Sequence, residues 1–428
     1  MAVRRRLRKP VLIALMIFPL ALILSLFLFF NNWHFFGVKS IHEDAHKYKT
    51  RHCLAFYPET DEGKAYARSL CKGVKDDKVY DYSLVPYGDY YQVSYGNDLK
   101  YFVDKDMHKM EIKELTEDAK LIFIDYLRYE IKKNDTANYY NSSYIANIDI
   151  DHVDFDKISY QLEGEELKVD FTEYGYQSAI PLKYLQDALN MNLGYPYEVY
   201  RKPIYISDIE EHPILCLTFN DGPDFAYEKG ICTSEKIVDL LNRYDACGTF
   251  YVLGKNLQNR EAWADYQAYY FLTRAINRGH EYGSFTQNRY DLTTLEKEKI
   301  SQEIMGPVDY AKSFLDYEMK TYRPIGGEFD EQVLSAQPLP AILWSIDSLD
   351  WMYDSGQEIY DEIMSVRIDP GDIIVMHDIY EESYDALVKL LPVLIDQGYQ
   401  LLSVTDMLNA YDIDLTTLKY CYHSGYYE

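Results

Sequence analysis

Positive charge is scarce in this chain of 428 residues: 43 lysines and arginines face 69 aspartates and glutamates, a formal net charge of −26 at pH 7. An excess of that sign repels phosphate backbones and anionic lipid, so nucleic-acid partners and a general affinity for acidic membranes are excluded. None of the six cysteines forms a C-x-x-C pair, which removes the usual spacing signal for structural zinc. Internal repeats and low-complexity tracts are also lacking. The chain does have apolar mass, with a hydrophobic fraction of 47%, enough for sizeable cores. Its length suits about two to three domains at roughly 150 residues each. Tyrosine is abundant, at 44 residues, either as compositional drift or as aromatic platforms for sugar rings and other ligands.

Basic residues gather in the first ten positions, MAVRRRLRKP, which hold no acid. An uncharged run, Val11 to Phe30, follows and is about as long as a helix that crosses the hydrocarbon layer. A cleaved signal peptide would have a shorter apolar core and then small residues, whereas this run continues into bulky aromatics, NNWHFF. The expectation is an uncleaved transmembrane helix at 11–30, a cytoplasmic tail at 1–10, a juxtamembrane connector at 31–50 and the remainder outside the cell. Disulfides persist in that compartment. Cys53 with Cys71, and Cys232 with Cys247, are the candidate pairs by proximity along the chain.

Residues 51–200 read as a smaller α+β domain. The stretch LTEDAKLIFIDYLRYEIKKN has helical spacing, Thr116 as its cap and basic residues in its last turn. ISYQLEGEELKVDFTEYGYQSAIPLKYLQDAL then reads as strand, turn at Glu163-Gly164, strand, loop and short helix. Over roughly residues 100–195 the pattern is similar to the C-terminal part of an extracellular domain found in some anti-sigma factors and ahead of some cell-wall deacetylases. A linker at 200–213 follows. Beyond it, strand-like runs (ILCLTF, GTFYVLG, AILWSID, IIVMHD, YQLLSV) alternate with helical ones, the pattern of an α/β fold with a parallel sheet or barrel.

Five polar clusters stand at the ends of these runs, where α/β barrels assemble active sites. They are Asn220-Asp221 before a Gly-Pro turn; GHEYGSFTQNRYDLTTLEKE, with Thr293 and Glu296 at capping-box spacing; TYRPIGG with Arg323; SIDSLDW with Asp347, Asp350 and Trp351; and IIVMHD with His377 and Asp378. In this order they resemble the motif series of the NodB-homology polysaccharide deacetylases, over roughly residues 206–412, with 413–428 left as a C-terminal tail. The resemblance implies a distorted (β/α) barrel and a divalent metal, usually zinc, held by an aspartate and two histidines. It also implies an aspartate base beside the metal and a histidine acid that protonates the leaving amine.

Carried over position by position, the resemblance makes Asp221 the metal-binding aspartate, His377 the acid, Asp350 its orienting partner, Arg323 the tuning arginine and Trp351 a wall of the substrate pocket. The other half of the centre departs from the family. Asn220 stands at the base position, and an amide does not take up a proton near neutral pH. Phe285 and Arg289 stand at the two histidine positions; neither offers a lone pair to a cation. His280 precedes this motif and is not one of its ligands. The expectation is a protein with no bound metal and no metal-dependent deacetylase activity, which binds N-acetylated cell-wall or other polysaccharide. Two other readings stay open: a working deacetylase with a non-standard centre, and an extracellular scaffold or sensor.

Overall fold

The computed structural model describes residues 39–40, 46–51, 53–57, 61–76, 78–80, 82–87, 90–95, 99–103, 115–163, 165–185, 200–223, 232–258 and 265–428. The expected tail and membrane span at 1–30 lie outside the described residues. Among those described, no helix is long and apolar enough to cross a membrane. The chain divides into two compact units, one comprising residues up to 119 with 155–198, the other 120–154 with 199–428.

The first unit is built of small sheets. His46–Lys49 pairs antiparallel with Cys53–Tyr57, which pairs parallel with Lys78–Tyr80, and the helix Asp61–Leu70 connects the last two strands. The expected connector at 31–50 therefore contributes a strand. A Cys53–Cys71 disulfide ties that sheet to the end of the helix, closing a short loop in the unfolded chain, worth about 3 kcal/mol in chain-entropy terms. Ile158–Glu163, Glu166–Phe171 and Tyr176–Pro181 form an antiparallel meander. Its third strand falls on residues expected to be loop. Leu167, Val169 and Phe171 alternate inward on the middle strand, so the period-2 signal was clear there.

Helix α1 (Glu117–Asn134) has the expected cap, with Thr116 Oγ1 accepting from the Ala119 N–H at 3.2 Å. Its place differs from expectation: most of it packs with the second unit rather than the upstream domain. The reason is polar. Asp125, Arg128 and Lys132 are buried on this helix. Arg278 donates to Asp125 at 2.6 Å, and Arg128 donates to the carbonyls of Asn242 and Arg243. Asp245 accepts from Lys202 and Tyr139, both at 2.7 Å. Burial alone would raise the Asp245 carboxyl, but Lys202 and Arg128 draw it down to about 2. Buried charges are tolerated only where such partners exist, and hydrophobic periodicity does not reveal them.

The rest of the second unit alternates strands and helices, as expected for an α/β fold. β1 (Ile214–Asn220) is central, flanked in parallel by β2 (Gly248–Val252) and β4 (Ile373–His377); β3 (Glu281–Ser284) extends one side and Ile346–Asp347 the other. Single bridges at Tyr322 carry the parallel arrangement from Ser284 on to Ala341. The expected strand AILWSID is split into Ala341–Ile342 and Ile346–Asp347. Residues assigned to the C-terminal tail join the fold, since Tyr420–His423 pairs in parallel with Ala341–Ile342 and Cys421 is fully buried. The expected capping box is not formed. Glu296 caps α2 (Lys297–Leu315) without a side-chain bond, while Thr293 donates to Asp291 at 2.7 Å. Cys232 and Cys247 are buried free thiols, so that expected pair is not a disulfide.

Candidate active site

β1 and β4 lie side by side in register, with Asn220 opposite His377, so two polar clusters meet at one end of the sheet. Every residue of β1 is buried, and apolar packing delivers its polar C-terminal end to the site. Asp221 follows with φ 72°, a left-handed conformation held by Asn256 Nδ2 donating to its carbonyl at 2.8 Å. At Gly222 an added Cβ would lie 2.1 Å from the Asp378 carboxylate, so no side chain fits there. Ser234 donates to Asp378 at 2.6 Å, and burial pushes this carboxyl up to about 7.

Arg323 lies beneath the strand ends with no exposure. Its Nη1 donates to Thr218 Oγ1 at 2.9 Å and to Asn220 Oδ1 at 3.0 Å; Nε and Nη2 donate to the carbonyls of Ile342 and Leu343, both at 2.9 Å. Tyr251 and Trp344 present ring faces to the guanidinium at 4.2 and 5.4 Å. All the hydrogen-bond acceptors are neutral, and burial draws the group down to about 10. It remains a cation at neutral pH.

On the other side, His377 Nδ1 lies 2.7 Å from Asp350 Oδ1, while Asp350 Oδ2 accepts from the His377 N–H and Ser383 Oγ, both at 2.6 Å. Burial disfavours the imidazolium, but the Asp350 hydrogen bond and charge, reinforced by Asp221 and Asp378, hold His377 above its ordinary range. His377 Nε2 faces Asp221 Oδ2 at 3.9 Å. The pair is an oriented imidazole with a carboxylate behind it. Trp351 stands open, 58% exposed, next to the equally exposed Met352.

Phe285, 3% exposed, packs in an apolar cluster with Tyr251, Leu253 and Ile342. Arg289 Nε comes within 2.9 Å of Asp221 Oδ1, although outside hydrogen-bond geometry; its side chain is 52% exposed against 5% for Asp221. His280 is remote in role: its Nδ1 accepts from the Gly248 N–H at 3.1 Å, its Nε2 lies 3.2 Å from Asn242 Oδ1, and burial lowers it to about 3. It is a neutral structural histidine. Ser383, Ser234 and Asn256 were not legible as site residues, because each reaches the site from a separate element and no local motif marks it.

The family model described as polysaccharide deacetylase matches residues 208–338. Over 211 residues the chain is 30% identical to a 30.6 kDa protein of Geobacillus stearothermophilus, covering 48% of this chain and 74% of that one. It is 31% identical over 196 residues to the peptidoglycan-N-acetylmuramic acid deacetylase PdaC of Bacillus subtilis, covering 45% of this chain. The chain belongs to the polysaccharide deacetylase family. It spans only 38% of the length of PdaC. The solved structure of peptidoglycan deacetylase PdaC is 29% identical, with 47% of this chain and 92% of that one covered and a TM-score of 0.42.

Within this polysaccharide deacetylase family member, Asn220, Asp221, Phe285, Arg289 and Arg323 fall inside the matched span; Asp350, Trp351 and His377 follow it. The positions that the resemblance assigns to a divalent cation offer one carboxylate, one buried phenyl ring and one guanidinium already placed on that carboxylate. This set does not fit a zinc-type site, which needs three or four lone-pair donors. Among the described residues, no group of three or more His, Cys, Asp or Glu side chains is gathered so as to hold a metal ion.

Proposed function

We propose that this chain is a cell-wall-directed pseudoenzyme of the deacetylase family, which binds N-acetylated glycan without metal-dependent hydrolysis. The observation that carries the reading is the Arg289 guanidinium 2.9 Å from Asp221, with Phe285 in the apolar core beside it. Those two substitutions place a cation and apolar volume where the family has a metal and its ligands. The acid side persists: His377 and Asp350 keep the geometry of a proton donor and its orienting carboxylate, Arg323 keeps its place under Asn220, and exposed Trp351 offers a face to a sugar ring.

The proposal includes placement on the outer face of the membrane, through the uncharged Val11–Phe30 run behind a basic tail. The Cys53–Cys71 disulfide supports an exported location. The test pairs two measurements on the full chain: titration with N-acetylglucosamine oligosaccharides, and acetate release with zinc or cobalt added. Binding without acetate release is the expected result. Metal-stimulated release would overturn the pseudoenzyme reading, and absence of binding would overturn the glycan reading. One observation favours a second reading, a hydrolase of non-standard chemistry. His377 Nε2 faces the Asp221 carboxylate at 3.9 Å, with Asp350 behind the ring, so an oriented acid–base pair is still present. Metal-independent acetate release abolished by His377→Ala would establish it.

A further inference from the structure

We propose that Arg289 and Asp221 together hold the acetamido group of a bound sugar, the guanidinium donating to the carbonyl oxygen and the carboxylate accepting the amide N–H. This inference rests on the glycan-binding reading above and specifies how the ligand is recognised.

Arg289 is a built feature of the site rather than a surface side chain that drifts. Its backbone adopts φ 66°, an unfavourable conformation for a non-glycine residue. That conformation is held by the residues that precede it. The Arg289 N–H donates to Thr286 Oγ1 at 3.1 Å, and Thr286 is itself fully buried at φ 70°. Asn288 is clamped by the buried Glu303, which accepts from its N–H at 2.8 Å and from Nδ2 at 2.9 Å. Strain retained at such a place is consistent with function.

The polar atoms left over are complementary to an amide. Arg289 uses Nε toward Asp221, and its two Nη groups have no hydrogen bond or ion pair among the described residues. Asp221 is buried, yet neither carboxylate oxygen accepts a hydrogen bond among the described residues. Oδ1 is fully enclosed, and the less enclosed Oδ2 faces His377 Nε2 at 3.9 Å, beyond hydrogen-bond reach. A buried carboxylate with unused acceptor capacity next to unused guanidinium donors is costly unless a ligand completes both.

A secondary amide does so, with one acceptor for the Nη donors and one N–H for Oδ2. A carboxylate would meet the Asp221 charge, and an ammonium group would meet Arg289. The site thereby selects the neutral acetamido group over its charged relatives.

The experiment titrates the full chain with an N-acetylglucosamine oligosaccharide and with a glucose oligosaccharide of the same linkage and length, each with and without EDTA. The wild type is expected to prefer the acetylated sugar by about tenfold or more, the scale of charge-assisted hydrogen bonds, whether or not chelator is present. Arg289→Leu should bind the two sugars alike. Because that variant leaves Asp221 unpaired, Asp221→Asn with Arg289→Leu removes both charges and the guanidinium donors together; circular dichroism checks its fold, and it too should lose the preference. A preference that persists in both variants overturns the role of Arg289 and leaves glycan binding standing. A preference abolished by EDTA overturns it in favour of a bound cation. Failure of the wild type to bind either sugar overturns the glycan-binding reading, and this inference with it.

Discussion

Arg323 donates from Nη1 to Asn220 Oδ1 at 3.0 Å in a place with no solvent exposure. The resemblance puts a carboxylate at position 220, which would face the guanidinium as a counter-charge. The amide keeps the hydrogen bond and gives up the charge. Asn220→Ala would leave one N–H of a buried cation unsatisfied, at a cost of about 1–3 kcal/mol. Asn220→Asp should be far better tolerated, and it should not restore metal-dependent acetate release, because Phe285 and Arg289 remain. Urea unfolding of the two variants checks the first claim; a neutral Asn220→Ala would refute it.

The Arg289–Asp221 contact is asymmetric: the carboxylate is buried and the guanidinium is half in solvent. Screening therefore limits the coupling to about 1 kcal/mol, well short of the value of a fully buried pair. A double-mutant cycle with Arg289→Ala and Asp221→Ala should give that coupling, with the double variant less destabilised than the two single losses add up to. Additive losses would mean that the two side chains are merely neighbours. The cycle should show the same coupling after dialysis against chelator.

Asp378 carries the clearest pH signature. Burial pushes its carboxyl from 3.8 up to about 7, so between those values the folded protein holds a proton that the unfolded chain has released. Stability contributed by that proton is full below the unfolded value and declines as pH rises through the folded one, by at most roughly 1.4 kcal/mol per pH unit. His377 shifts in the same direction, raised above 6.5, and its contribution is likewise lost as pH rises. Asp378→Asn should flatten the stability profile between about pH 4 and 7. A variant profile parallel to that of the wild type would rule out this role for Asp378.

The α/β pattern beyond residue 206 was legible because β1, β2 and β4 are short apolar runs ending in polar residues, and burial on both faces requires that composition. The five clusters were legible for the same reason, since parallel strands bring their C-terminal ends together. The motif positions assign Arg289 and Asp221 to one site, and the structure brings their side chains to 2.9 Å. Other features were hidden. Ser383 meets Asp350 across 33 residues, and Ser234 meets Asp378 across 144, so no spacing rule reaches them. The third strand of the meander, Tyr176–Pro181, reads as loop because YQSAIP has little apolar alternation, and in the structure only Ile180 of this strand is fully buried.

The placement of α1 was hidden as well, and it yields the last prediction. Asp245 sits where three segments meet: Lys202 at 2.7 Å, Tyr139 at 2.7 Å and Arg128 at 3.9 Å. All four side chains are buried or nearly so, and Asp245 supplies the negative charge that Lys202 and Arg128 share. Asp245→Ala would strand two cations in a dry environment, a loss of about 3–5 kcal/mol. Asp245→Asn keeps the shape and one acceptor but removes the charge, so it should fall in between. The loss should be local in the first instance. Hydrogen exchange in Asp245→Ala should accelerate in 120–154 before it does in β1 and β4, since those strands are held by apolar packing that the substitution leaves untouched. Uniform acceleration across the unit would show instead that the α1 segment and the strands unfold as one cooperative body.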